Sequence, residues 1–212
     1  MSQEQLLREG SAALGLALTD VQCERLLAYG ALILKWNKVY NLTALRDPAT
    51  VLTHHLLDSL SVIAPLRREC PGAANLLDVG AGAGLPGVVI AILRDDVQVT
   101  CLDAVAKKAA FLQQVASELR LKNLRGLHAR VEALQGSYEL ISSRAFASLA
   151  DFVSGSQHLL APHGKWMAMK GRAPDDEIAQ LPASCEVFHV EQLTVPGLDA
   201  ERCIVWMRKP GV

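Results

Sequence analysis

No stretch of the 212-residue chain carries about 18 consecutive apolar residues, which excludes a membrane-spanning helix although half of its residues are hydrophobic. The start, MSQEQLLREG, lacks an apolar signal core and a small-residue cleavage site, so the expected address is cytoplasmic. Cysteines are few and scattered. Cys23, Cys70, Cys101, Cys185 and Cys203 form no C-x-x-C pair and have no histidine at ligand spacing, so neither a metal site nor a disulfide framework is expected. They read as small buried hydrophobes. The formal net charge is only −1, so bulk charge does not mark a nucleic-acid binder. An RNA partner would need cations gathered on one face, drawn from Lys35 and Lys38, Arg67 and Arg68, Lys107 and Lys108, Arg120 to Arg130, and Arg172. Internal repeats, low-complexity segments and charge blocks are all missing.

What is present centres on NLLDVGAGAGLPGVVIAIL, Asn75 to Leu93, where an apolar run ends in an acid and glycines crowd together. The pattern predicts a strand, Leu76 to Val79, turning through Gly80, Gly82 and Gly84 into a helix with Pro86 in its first turn. Glycines there permit positive φ and let main-chain N–H groups approach a ligand, while the helix start adds partial positive charge. Two ligands fit. Gly82-Ala83-Gly84-Leu85-Pro86-Gly87 matches the dinucleotide fingerprint G-x-G-x-x-G, with Asp103 about 20 residues on for the ribose. Asp78 to Gly84 equally matches D-x-G-x-G-x-G, the form that holds S-adenosylmethionine.

The flanking pattern bears on the choice. Residues 1 to about 65 read as helices: Thr19-Asp20-Val21-Gln22 has capping-box spacing, with a stop expected near Trp36-Asn37. A second helix opens at Asp47-Pro48 and is expected to end before Pro65, with a linker from Arg67 to Ala74. The division is therefore a helical extension, 1–66, and an α/β domain, 67–212, packed as one unit. From Asn75 onward seven strands are predicted: Leu76 to Val79, Val97 to Asp103, Leu124 to His128, Tyr138 to Ser142, Lys165 to Met169, Glu186 to Leu193 and Arg202 to Met207. Helices are predicted from Pro86 to Leu93, Val105 to Leu119 and Leu149 to Leu160, with a short one opening at Pro174. The last two strands have only a loop between them and should pair antiparallel at the sheet edge. This is not the six-stranded dinucleotide arrangement; it resembles the seven-stranded, Rossmann-like class I methyltransferase fold.

In an open parallel sheet the ligand lies outside the carboxyl ends of the strands, so the residues ending each strand are the candidates. Asp78 could orient the glycine turn or meet a methionine amino group through water. Asp103 could accept both ribose hydroxyls or cap the following helix. Val131 and Glu132 lie where an adenine edge would sit, or else simply start a solvated helix. Arg144 places a fixed cation after the fourth strand, to hold a carboxylate, stack on a base or form a structural ion pair. Other chemistries lack their signature. The fourth strand ends in Ser142-Ser143-Arg144 without the acid- or amide-Pro-Pro tetrad of amino-group methyltransferases, and no Pro-Cys nucleophile exists for pyrimidine carbon-5. There is no Gly-x-Ser-x-Gly elbow and no P-loop lysine. His54 and His55 are adjacent on a helix, about 100° apart, so they form no two-ligand metal face; one is expected packed and the other exposed.

WNKVYNLTALRD (Trp36 to Asp47), HHLLDSL (His54 to Leu60), LLDVGAGAGLPGVVIAI (Leu76 to Ile92), LDAVAKKAAFLQQV (Leu102 to Val115), ARVEAL (Ala129 to Leu134), SRAFASL (Ser143 to Leu149) and AMKG (Ala168 to Gly171) carry a specific likeness through most of the chain. In these segments it resembles the family of bacterial small-subunit rRNA guanine-N7 methyltransferases, RsmG, also called glucose-inhibited division protein B. The resemblance implies transfer of the S-adenosylmethionine methyl to N7 of one guanine of 16S rRNA, guanosine 527 of the decoding-region hairpin, on naked rRNA or a small-subunit particle. It implies Gly80, Leu85, Val131, Glu132 and Arg144 as cofactor contacts, beside Asp78, Gly82 and Asp103 from the residue reading. No metal, no membrane partner and a monomeric state are expected. Lys107-Lys108-Ala109 and Ala104 depart from the family's usual Lys-Arg pair and serine. An NAD-dependent oxidoreductase, or a non-enzymatic RNA-binding protein, is the competing expectation.

Overall fold

The computed structural model describes residues 2–144, 146 and 148–211. Ala145 and Ala147 of the SRAFASL segment lie outside the described residues.

The amino-terminal part is helical. α1 (Gln3–Ala13) packs on α2 (Asp20–Tyr40), whose capping box forms as the spacing predicts: Thr19 Oγ1 accepts from the Gln22 N–H at 3.2 Å and the Gln22 side chain accepts from the Thr19 N–H at 3.0 Å. α2 overruns the expected stop at Trp36-Asn37 and ends at Asn41, which adopts the left-handed φ of 48°. Asn37 does not break the helix because its buried side chain faces the returning loop, accepting from the Thr43 N–H and donating to the Leu45 carbonyl. α3 (Pro48–Val51) starts at the Asp47 cap with Pro48 in the first turn, then widens into a π-helix, Leu52–Leu57, and returns to α4 (Asp58–Leu60).

The helical run does not end before Pro65. A turn at Ser61 and Val62 is followed by α5 (Ile63–Glu69), which contains Pro65 and shortens the linker to residues 70–74. Pro65 is the third residue of α5, where its missing N–H leaves no intrahelical bond unmade.

The rest alternates strand and helix: β1 (Asn75–Val79), α6 (Gly87–Leu93), β2 (Gln98–Asp103), α7 (Ala106–Glu118), β3 (Leu124–His128), β4 (Tyr138–Ser143), α8 (Leu149–Ser156), β5 (Leu160–Lys170), α9 (Asp175–Ile178), β6 (Glu186–Leu193) and β7 (Arg202–Arg208). The sheet order is β3-β2-β1-β4-β5-β7-β6; the first five strands are parallel, and β7 runs antiparallel to both neighbours. The predicted closing hairpin is therefore present at the edge. β5 begins earlier than Lys165 because Leu160 already pairs with Tyr138, and Pro162 falls before the β7 ladder starts at Lys165, where no N–H is missed. The helix from Leu149 tightens to a 3₁₀ turn at Gln157–Leu159 before that strand.

Two apolar layers sandwich the sheet. One lies under α8, with Trp166, Ile141, Phe152 and Met207; the other joins Leu76, Trp206, Met169 and α6 to Leu7, Leu26, Ile33 and Leu60 of the amino-terminal helices. The helices and the sheet thus share one continuous core on that side. All five cysteines are buried and free, and burial pushes their thiols up, Cys70 to about 11, consistent with the packing role read from the sequence.

Candidate functional site

β1 delivers the chain into a bare turn in which Gly80, Gly82 and Gly84 take φ of +65°, +58° and +91°. Packing behind the turn leaves no room for side chains at Gly84 and Gly87, whereas Gly80 and Gly82 are held to glycine by their positive φ. A Cβ on Gly84 would stand 2.7 Å from Leu112 Cδ2, and one on Gly87 would stand 2.5 Å from Cys101 Sγ and 2.8 Å from Asp78 Oδ2. Pro86 precedes the first residue of α6 and does not occupy its first turn.

Asp78 supports this turn from beneath. It has no exposed surface; Oδ2 accepts from the Gly87 N–H at 3.0 Å and Oδ1 from the Ser142 hydroxyl at 2.8 Å. Burial pushes its carboxyl up to about 6, while the Ser142 and Gly87 hydrogen bonds and the charge of Arg144 pull the other way. Of its sequence readings, the structure displays the turn-orienting one. Asp103 ends β2 and does two things at once: Oδ1 accepts from the Val105 N–H at 2.8 Å, tying down the start of α7, and Oδ2 accepts from the Gly82 N–H at 2.9 Å. Each oxygen retains a second lone pair for a ligand hydroxyl.

Gly80, Leu102, Asp103, Ala104, Val131, Glu132 and Phe146 line one cavity of about 160 Å³ over the carboxyl ends of β1 and β2 and the exit of β3. Val131 turns a buried apolar side chain into it from a single 3₁₀ turn, Val131–Ala133, where a helix start was one expectation. Gly82, Leu85 and Asp78 do not line this cavity: Gly82 is held within the turn by Asp103, Asp78 lies buried beneath, and Leu85 is sunk in the apolar core.

Arg144 faces a second cavity, of about 390 Å³, with Leu45, His54, His55, Asp58, Met169, Lys170, Gly171 and Arg202. Its Nη1 donates to Asp58 Oδ2 at 3.2 Å and to the His54 carbonyl at 3.3 Å. Asp58 is 2% exposed and also accepts from Arg202 Nε at 2.9 Å, so one buried carboxylate holds two guanidiniums. Of the two histidines His55 is the packed one, while His54, expected to be exposed if its neighbour packs, is half-buried and also lines the cavity. His55 Nδ1 lies 3.0 Å from the His54 carbonyl and Nε2 2.8 Å from Thr43 Oγ1; a neutral ring protonated at Nδ1 satisfies both. Burial and the adjacent Arg144 charge lower its pKa to about 4.

Sequence reasoning overlooked Tyr29, Asp58 and Arg202. Tyr29, fully buried on α2, donates its hydroxyl to the Ala83 carbonyl at 2.5 Å and so fastens the glycine turn to the helical extension. Asp58 lies inside the HHLLDSL segment, whose helical context gave a signal; nothing local marked Arg202, which meets Asp58 only through the β7 crossover.

A seven-stranded sheet in this order, with a glycine turn after its first strand and an antiparallel edge, defines a class I methyltransferase. Solved structures share that fold: an S-adenosylmethionine-dependent methyltransferase from Aquifex aeolicus has TM-score 0.58 at 16% identity, covering 79% of this chain and 96% of that one. A ribosomal protein L11 methylase from Lactobacillus delbrueckii subsp. bulgaricus has TM-score 0.56 at 14% identity, covering 77% and 79%. The chain belongs to the rRNA small subunit methyltransferase G family, GidB, whose model matches residues 22–205. Proteins of that name from Acidovorax sp. (strain JS42) and Polaromonas sp. (strain JS666) are 61% and 63% identical to it, covering 98% and 97% of this chain and 96% and 93% of theirs.

Proposed function

We propose that this rRNA methyltransferase transfers the methyl group of S-adenosylmethionine to N7 of one guanine of 16S rRNA, at guanosine 527 by the family resemblance. The observation that carries the reading is the family match over residues 22–205 with the glycine turn intact. The first cavity suits the cofactor's adenosine: an apolar wall at Val131, a carboxylate at Asp103, and backbone unshielded by side chains at Gly80. There Asp103 would accept the ribose hydroxyls, Val131 would pack on the adenine, and Glu132 would stand at its edge. Gly82 and Leu85 hold the shape of the turn, Asp78 anchors it, and Arg144 lines the second cavity.

When bound, S-adenosylmethionine supplies an electrophilic methyl on a sulfonium. Guanine N7 carries an in-plane lone pair and no proton, so no side chain need act as general base. The chain's contribution is orientation, which supplies on the order of several kcal/mol when the reacting atoms are held in line. N7 lies on the major-groove edge, so the guanine must be unstacked or in an accessible loop. The protein acts as a monomer in the cytoplasm on 16S rRNA or a small-subunit particle; no helix among the described residues is long and apolar enough to cross a membrane.

Calorimetry with S-adenosylhomocysteine and with NAD checks the cofactor, and binding of NAD alone would overturn the reading. Deleting the gene should remove one N7-methylguanosine from 16S rRNA; an unchanged modification pattern would assign another target. Arg144→Ala should lower transfer roughly 10-fold or more, given the loss of a charge-assisted contact. Unaltered transfer would leave Arg144 as a structural partner of Asp58.

A further inference from the structure

The second cavity opens at the same end of the sheet as the first. β1 and β4 are neighbours, and in the loop after β4 Phe146 lines the first cavity while Arg144, two residues earlier, lines the other. Because β7 runs antiparallel to β5, its first residue, Arg202, stands beside the β5 terminus, where Lys170 pairs with Cys203. The π-helix closes the far wall with His54 and His55, and Asp58 follows it directly.

The cavity's polar chemistry is unbalanced. Arg144 and Arg202 share the single carboxylate of Asp58, and Lys170 is matched by Glu177 at 2.8 Å, so one positive charge is left over. Arg202 gives two of its five N–H groups to Asp58 and the Glu201 carbonyl among the described residues. The remaining donors suit the oxygens of a nucleotide, its base O6 and its phosphate. His55 stays neutral, so its ring adds no further cation where a purine would become positively charged on methylation. Leu45 and Met169 supply apolar surface for a ring face.

We propose that this cavity receives the target guanine, with Arg202 donating to the nucleotide's oxygens and Asp58 acting as the positioning residue that fixes Arg144 and Arg202. The inference rests on the guanine-N7 activity proposed above and adds the place where the base enters. Asp58 reaches neither base nor cofactor; it acts through the two arginines that it aligns. A carboxylate with 2% exposure bridging the helical extension to both β4 and β7 also makes the pocket a product of the whole fold.

The test compares full-length wild type with Arg202→Gln, Arg202→Lys and Asp58→Asn in two measurements. One is calorimetric affinity for S-adenosylhomocysteine; the other is methyl transfer to small-subunit particles that lack the modification. Arg202→Gln should keep the wild-type affinity while kcat/KM for transfer falls roughly 10-fold to 100-fold, with Arg202→Lys intermediate. Asp58→Asn should reduce transfer at least as far. A photocrosslink from 6-thioguanosine at the target position should map to the π-helix or to Met169–Gly171. Wild-type transfer with Arg202→Gln unaffected, a parallel fall in cofactor affinity, or a crosslink elsewhere would overturn the pocket. Absence of N7-methylguanosine with the wild-type protein would overturn the activity itself. If Asp58→Asn fails to fold, Arg202→Gln still decides.

Discussion

Tyr29 shows how one hydroxyl joins two parts of the molecule. Its bond to the Ala83 carbonyl lies in a fully buried setting, so Tyr29→Phe strands that acceptor at a cost of about 1–3 kcal/mol. The expected outcome is a lower melting temperature together with weaker S-adenosylhomocysteine binding, read by differential scanning calorimetry and titration. Asp78 and His55 pull stability in opposite directions with pH. Folded Asp78 titrates at about 6 against 3.8 unfolded, so the native state binds the extra proton and stability falls as pH rises from about 4 to about 6. Folded His55 titrates at about 4 against 6.5 unfolded, so stability is lost as pH falls from 6.5 towards 4. Each effect is on the order of 3 kcal/mol, and they offset where they overlap. Urea denaturation across that window should be shallow for the wild type, steeper on the acid side for Asp78→Asn, and reversed in slope for His55→Asn. Residue types at strand ends made Asp78 and Asp103 legible in the sequence; which of their oxygens point inward depends on Ser142 and Gly87, and on Gly82 and Val105.

At the scale of elements, local chemistry decided the starts and tertiary contacts decided several of the ends. The Thr19 and Asp47 side chains cap their helices by accepting from N–H groups three residues on, and such spacing is visible in the chain itself. Thr19→Ala should therefore cost about 1 kcal/mol in a denaturant titration, with cofactor affinity unchanged. The early start of β5 follows from pairing with Tyr138, a partner outside the local window, whereas the overrun of α2 rests on the bonds of Asn37 to Thr43 and Leu45 in the loop just beyond it, and α5 admits Pro65 in its first turn. Leu52–Leu57 reads as ordinary helix, and its wider winding into a π-helix appears only where it walls a cavity.

For the whole molecule, the shared core joins the helical extension to the sheet through Leu7, Leu26, Ile33 and Leu60 on one side and Leu76, Met169 and Trp206 on the other. Residues 67–212 expressed alone should lose that cover, exposing the apolar face of α6 and the sheet. Circular dichroism and limited proteolysis should then show no cooperative unfolding, whereas a stable truncated domain would mean that the extension is dispensable for folding. By itself the sequence determined the alternation of strands and helices, the glycine turn and the closing hairpin, because periodicity, turn residues and caps act over a few positions. Only the tertiary structure decided that Tyr29 braces the turn, that Asp58 joins Arg144 to Arg202, and that Arg144 faces a separate cavity from Val131. Those contacts span 54 to 144 positions along the chain, and a buried hydrogen bond or ion pair forms only where packing brings both partners out of water together.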